Sequence, residues 1–443
     1  MDAVLLLALL VSGQTASQPP PAAPPAEKAP GGLPPVERIP PDAPAPPDAV
    51  GTPEPPAEEP AAEEKKPEEP AEPEAPAAGP ERGLFMQAVQ GTYLGSALDA
   101  HKISISGWLS GTFTGSSAND FNLPMIWNYR ANQLLLHQNW LRIDKPVDTA
   151  STSATFGFRS DTLLPGSSDY RFTLSRGLAD YQLTTRNGGP EVYGYDPVQF
   201  YVEGYFPNVL KGLDVKLGRF YSPYGVESIE ATGTPFKSLP FTFTFNPFIH
   251  TGLYTKLKLD DTWTLNNGIV TGADVFIDPA ATPTYIGGIG WAPPNGRTTA
   301  TFSVVLTGGR FDEVENLHNP QIFDIVVTHK VTERLNYTFN ALAGYTYGVP
   351  NLGYAKWYGI VNYLSYTVNQ QLTANTRFEV FDDVDGQRSG FKSVYTNATV
   401  GLLYKPKPWL WLRPELRVDH NDARPFEGKP TLGTAAMDVM FRW

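Results

Sequence analysis

The sequence predicts an all-β chain: a transmembrane antiparallel up-and-down β-barrel of about 16 strands, preceded by a signal peptide and a disordered Pro/Ala/Glu-rich tether. Three observations carry that expectation. Apolar and polar residues alternate with a period of two in run after run beyond Gly83. Several runs are long enough for the ~9 to 11 residues that a tilted membrane strand needs. Aromatics gather at the ends of runs, as Tyr and Trp do where a bilayer meets water.

The first element is the run VLLLALLV at 4–11, followed by the small and polar SGQTASQ. It is too short to span a bilayer as a helix but has the length of a signal-peptide h-region, with cleavage expected near Ala16 or Ser17. Residues 1–17 are therefore read as an export signal, although no Lys or Arg precedes the apolar run.

Residues 18–82 form the second element. About half of the 43 prolines of the chain lie here, beside Ala and Glu, with almost no large apolar side chain to drive collapse. A disordered linker is expected; as polyproline II it would reach on the order of 190 Å. Charge divides at the same boundary. Residues 1–82 hold 15 acidic and 5 basic side chains, and the rest of the chain 31 and 29. The body is nearly neutral, which leaves no positive footprint for nucleic acid. Cysteine is absent, so neither a disulfide framework nor a Cys-ligated metal is available.

Residues 83–443 form the third element, the barrel. A helical turn or two is expected over 84–98. Alternating runs then follow at 103–113, 154–163, 170–176, 213–221, 252–259, 300–308, 323–331, 335–345, 372–381, 410–419 and 436–443. In the run 335–345 one face reads Leu335, Tyr337, Phe339, Ala341, Ala343 and Tyr345, with an aromatic near each end. Turn clusters at 144–148, 164–169, 259–261 and 385–390 separate runs. The long stretches 179–197, 222–250 and 420–433 fit the larger loops of one barrel end.

A soluble sandwich would absorb the same alternation with its apolar face inside. Strand length and aromatic placement favour lipid outside and water inside. On that reading the polar face supplies candidate pore-lining residues: Arg159, Asp161, Arg171, Glu203, Lys216, Lys256, Lys258, Arg377, Glu379, Arg413, Glu415 and Arg417. Every backbone N–H and C=O in hydrocarbon must be paired, so the first and last strands must join. An even strand count puts both termini, and the tether, in the periplasm.

The segment 219–248 is the candidate constriction loop. It is long, follows a strand directly, and mixes Tyr224, Glu227, Glu230 and Lys237 with Gly and aromatics. No enzyme signature competes with this. The six histidines show no metal-ligand spacing, GWLSG around Ser110 is not a nucleophile elbow, and prolines break the glycine-rich stretch 287–296. Neither a cofactor nor a metal is expected, and the chain is not read as an enzyme.

The stretches GWLSGTFTGS (107–116), NQLLLHQNWLRIDKPVDT (132–149), TFGFRSDTLLPG (155–166), DPVQFYVEGYFPN (196–208) and GLDVKLGRFYSPYGVESI (212–229), with Phe441 and Trp443, resemble the β-barrel porin-2 family of OmpL-like outer-membrane proteins. The resemblance covers most of 103–443. It implies a porin-like channel in a bacterial outer membrane, passing small hydrophilic solutes or ions. It also implies partners: the lipid bilayer, a homo-trimer, and a barrel assembly machinery that reads Phe441 and Trp443. Near-balanced charge predicts weak ion selectivity. The second reading is a structural or adhesive barrel that its linker ties to the cell wall.

Overall fold

The computed structural model describes residues 82–183, 191–278, 281–308, 320–349 and 351–443. The expected signal peptide (1–17) and the linker expected over 18–82, Arg82 apart, lie outside the described residues.

Sixteen strands close one antiparallel barrel among the described residues. They are β1 (Ser104–Ser116), β2 (Gln133–Lys145), β3 (Thr155–Ser167), β4 (Gly194–Phe206), β5 (Leu213–Tyr221), β6 (Ile249–Lys258), β7 (Trp263–Val270) and β8 (Thr284–Trp291). The second half comprises β9 (Thr298–Thr307), β10 (Gln321–Lys330), β11 (Leu335–Val349), β12 (Gly353–Thr367), β13 (Leu372–Asp383), β14 (Ser393–Lys407), β15 (Leu410–His420) and β16 (Thr431–Arg442). Each strand pairs with its neighbours in sequence, and β1 pairs with β16 in the register Leu109↔Phe441 and Phe113↔Met437. No edge is left, which is the condition for a sheet to live in hydrocarbon.

The period-two pattern sorts the side chains by face. Phe156, Val202, Leu217, Phe302, Ile360, Phe378, Val418 and Val439 are exposed on the outside. Asp161, Arg377, Glu379, Arg413, Glu415, Arg417 and Asp438 are buried inside. A sandwich would show the reverse. The connections 207–212, 259–262, 331–334, 368–371 and 408–409 are short turns at one end, while 117–132, 222–248 and 421–430 are long and lie at the other.

One expected strand is absent. Residues 170–176 do not join the wall: Tyr170–Thr173 is a single helical turn, and Ser175 makes only an isolated bridge to Leu178. The alternation there serves packing within the barrel end. Phe172 meets Trp127 and Tyr129 at ring-centroid distances of 5.6 Å, and Leu174 packs on the same inner cluster. Leu174 therefore does not face lipid.

Several wall strands carry a weaker period-two signal for identifiable reasons. β7 and β8 hold Gly268, Gly287, Gly288 and Gly290, which have no side chain to mark a face. β12 is apolar on both faces because its inner residues Trp357, Val361 and Tyr363 also pack against other chain segments.

Before the barrel come helices α1 (Leu84–Ala88) and α2 (Tyr93–Ala100), the turns expected over 84–98. The Thr92 side chain caps α2 by accepting from Gly95 N at 3.1 Å. Phe85 of α1 packs edge-on against Trp443 at 6.2 Å. The Trp443 indole in turn covers Gly107, where a Cβ would strike both the ring and the Trp140 carbonyl. Glycine is required there because two other chain segments occupy the space of a side chain.

Candidate functional site

The β5–β6 connection, 222–248, turns back into the barrel, and the inner wall holds it along its length. At its start, Gly225 N donates to Asp324 Oδ1 on β10 at 3.0 Å. Tyr363 on β12 donates to Glu227, and Arg377 on β13 stands 3.8 Å from the same carboxylate. Glu230 forms ion pairs with Arg142 on β2 and, at 3.7 Å, with Arg159 on β3.

The middle of the segment is tied down through its backbone. Ala231 N donates to Gln138 Oε1 at 3.0 Å, while Arg413 donates to the carbonyls of Ala231 and Thr234 at 2.6 and 3.1 Å. Glu415 accepts from Lys237 N at 2.8 Å and Ser238 N at 3.2 Å. Arg377 and Arg417 donate to the carbonyls of Ser238 and Leu239 at 2.7 and 2.8 Å.

The last part begins with a helical turn, Phe241–Thr244, whose first N–H groups have no partner within the turn itself. Glu379 accepts from two of them, Phe241 N at 2.9 Å and Thr242 N at 2.6 Å. Asn246 Oδ1 then receives Trp357 Nε1 at 3.1 Å. A loop needs partners for its backbone wherever water is excluded, and the charged ladder of β13 and β15 supplies them.

The twelve residues singled out for the polar face fall into three groups. Arg377, Glu379, Arg413, Glu415 and Arg417 lie beneath the inserted segment and are buried by it. Arg159, Glu203, Lys216, Lys256 and Lys258 keep exposed surface on β3 to β6, and Asp161 is buried among Arg142, Arg159 and Gln199. Lys216 pairs with Glu203 at 3.2 Å, and Lys258 reaches Asp261 in the short turn after β6 at 3.6 Å. Arg171 is not on a wall strand at all. It sits in the turn Tyr170–Thr173 with its guanidinium 4.9 Å above the Tyr129 ring.

All four residues named for the inserted segment are engaged with the wall or its neighbours. Tyr224 OH donates to Pro247 O at 2.6 Å, bracing the two arms of the loop. Lys237 pairs with Asp169 at 2.9 Å, and Asp169 also holds His137 at 2.7 Å. Phe441 faces outward and packs on Trp409 at 5.7 Å. Sequence reasoning missed Arg142, Gln138, Asp324 and Tyr363. Arg142 carried a readable signal, since it lies two residues beyond Trp140 and two before Asp144 on a single strand face.

At the long-loop end, 421–430 latches onto 117–132. The Glu427 carboxylate accepts from the N–H groups of Asn119, Asp120 and Phe121 at 2.8, 2.9 and 3.1 Å. Partial burial acts to raise its pKa, but these three donors outweigh it and hold the carboxyl below its ordinary range.

A closed sixteen-strand barrel, apolar outside, with the β5–β6 connection seated within, is the arrangement to compare with known proteins. Residues 102–442 match the family model described as "Putative beta-barrel porin-2, OmpL-like". The chain belongs to that family. This porin is an outer-membrane channel, a barrel whose surroundings are lipid and whose cargo is small solutes.

Solved structures share the porin's fold. The outer membrane channel DcaP of Acinetobacter baumannii aligns with a TM-score of 0.53 and 13% identity, covering 77% of this chain and 97% of that one. OprB of Pseudomonas putida gives 0.52 and 12%, covering 79% and 96%. An anion-selective porin from Comamonas acidovorans gives 0.51 and 9%, covering 77% and 99%. At such identities the likeness is one of architecture. No curated protein matches the sequence.

Proposed function

We propose that this porin is a passive, weakly selective diffusion channel whose water path runs between the seated β5–β6 segment and the wall formed by β3 to β9. One observation carries the reading: the segment is bound to β2, β10, β12, β13 and β15, and to β3 through the Glu230–Arg159 pair, whereas Arg159, Glu203, Lys216 and Lys256 keep exposed surface. On this reading Arg142, Arg159 and Glu230 border the narrowest point and Lys216, Glu203, Lys256 and Lys258 line the route toward the short turns. The buried Arg377, Glu379, Arg413, Glu415 and Arg417 act by holding the segment in place. Opposite charges set side by side give a transverse field with little net preference between anions and cations.

The test is reconstitution of the full chain into planar bilayers under a salt gradient. Open steps with a reversal potential near zero are the expected outcome. A strong preference for anions would overturn weak selectivity, and persistent silence would favour the second reading, a barrel plugged by its own loops. That reading draws support from the inner cluster formed by Trp127, Tyr129, Phe248 and their neighbours, which fills part of the lumen. In either case the acidic, proline-rich 18–82 serves as a periplasmic tether, with the cell wall as its candidate partner. Phe441 and Trp443 serve as the signal read by the assembly machinery, and a homo-trimer is the proposed assembly.

A further inference from the structure

Two sectors of the short-turn rim differ in how their cations are answered. Between the start of α1 and β7, Arg82, Lys102, Lys211 and Lys258 each reach a carboxylate, at 3.0, 3.4, 4.0 and 3.6 Å. Beyond β7 that pairing stops. Arg297 in the β8–β9 connection, Lys330 at the end of β10, Arg334 in the following turn and Lys407 at the end of β14 are exposed and form no ion pair among the described residues.

Three of these cations are held together by the backbone. Lys330 N donates to Arg297 O at 2.8 Å and Arg297 Nε to Lys330 O at 3.4 Å, so the β8–β9 connection lies against the turn 331–334. On the other flank Thr367 N donates to Arg334 O at 2.8 Å, which ties the same turn to the end of β12. Neighbouring carboxylates do not neutralise the group. Glu333 sits in the turn itself, exposed and without an ion pair, which leaves three cations against one anion. In the β6–β7 turn Asp261 is taken by Lys211 and Lys258, and Asp260 accepts from Thr262 N and Trp263 N. The turn 368–371 carries no charged residue.

Position selects the counterion. Tyr337 follows Arg334 by three residues on the outward face of β11, and Tyr366, 44% exposed on β12, immediately precedes the Thr367 that bonds Arg334. Outward tyrosines near strand ends mark the level of the lipid headgroups. Cations just beyond that level meet phosphate: a guanidinium offers paired N–H groups that match its oxygens, and each Lys or Arg there strengthens attraction to anionic lipid. We propose that Arg297, Lys330 and Arg334 form a binding site for the headgroup of an anionic phospholipid in the leaflet on the short-turn side, its acyl chains running down over Tyr337 and Tyr366. The site goes beyond the channel reading and stands whether or not current flows.

The test uses the full chain in detergent, supplied with equimolar phosphatidylglycerol and phosphatidylcholine of identical acyl chains, and counts the lipids retained by native mass spectrometry. Phosphatidylglycerol is expected to be favoured about tenfold. Arg297→Gln combined with Arg334→Gln is expected to remove most of that preference. Lys102→Gln combined with Lys211→Gln, the same change of charge in the paired sector, is expected to keep it. Folding is checked by circular dichroism, and Arg334→Gln alone, measured alongside, is expected to lose part of the preference. The proposal is overturned if the two lipids are retained equally, if the control pair of substitutions costs as much as the site pair, or if inorganic phosphate at matched concentration displaces the lipid. Open channels without lipid preference would sink the site alone. Silent bilayers with the preference intact, lost in the site variant, would sink the channel reading and leave the site standing.

Discussion

Glu379→Gln is the sharpest probe of how the lumen is built. Glu379 has no exposed surface and accepts from Phe241 N at 2.9 Å and Thr242 N at 2.6 Å. A glutamine of the same shape can turn its carbonyl to only one of these groups, and its NH2 then faces the other. Losing the charge on the retained bond and leaving one buried N–H without an acceptor costs about 3 kcal/mol. That is roughly a hundredfold in the equilibrium between the seated and lifted segment. Hydrogen exchange on the full chain in detergent reads this directly. Amides 241–246 are expected to accelerate by about that factor. Amides 236–239 are expected to change less, because Glu415 still accepts from Lys237 N and Ser238 N. Single-channel records are expected to show added noise on the open level. If 241–246 stay as protected as in the parent, the Glu379 carboxylate is not what seats the segment, and the reasoning from buried acceptors fails.

The remaining predictions concern charge, acidity and closure. Replacing both Arg142 and Arg159 by Gln removes the cations facing Glu230 and is expected to shift the bilayer reversal potential toward cation preference; no shift would remove them from the water path. Because Glu427 is held below its ordinary value of 4.5, its latch stabilises the 421–430 connection above that pH and is lost as pH falls through the lower folded value. Exchange of amides 119–121 is accordingly expected to rise only below about pH 4.5, and Glu427→Gln to raise it at neutral pH. Phe441→Ala with Trp443→Ala strips the outer packing on Trp409 and the cover over Gly107. Slower barrel formation in vesicle-insertion assays is the expected result, and an unchanged rate would count against a role for these rings in assembly.

The wall of the barrel was readable where an apolar outer face alternates with a polar inner one, and β2, β4, β7, β8, β12 and β14 gave no alternating run. In β11, Leu335, Tyr337, Phe339, Ala341, Ala343 and Tyr345 hold one apolar face, with Leu342 the apolar exception on the other, and in β16 Met437, Val439 and Phe441 turn outward as the pattern requires. The pattern misled at 170–176, where a packed loop turn imitates a strand because Phe172 and Leu174 also need an apolar surface, supplied there by Trp127 and Tyr129. The inserted segment was readable from its length and mixed composition. Its anchors were not, since a charged residue facing water and one holding a loop's backbone look alike in sequence. Glu203 and Glu379 both fall on the polar face of a strand, yet one keeps exposed surface beside Lys216 and the other is sealed beneath Phe241 and Thr242. What separates them is the path of residues 222–248, a long-range fact that no local period encodes.

The seam between β1 and β16 bears on how such a molecule comes into being. Ser110 and Thr112 both donate to Asp438 at 2.7 Å, and Arg413 on the adjacent strand clasps the same carboxylate, so the join draws on parts of the chain more than 300 positions apart. No partial product can make that clasp. Until β16 pairs with β1, the sheet has two open rims whose backbone groups find no partners in lipid. Completion is then a single event, with the locking carboxylate delivered by the strand that finishes the ring.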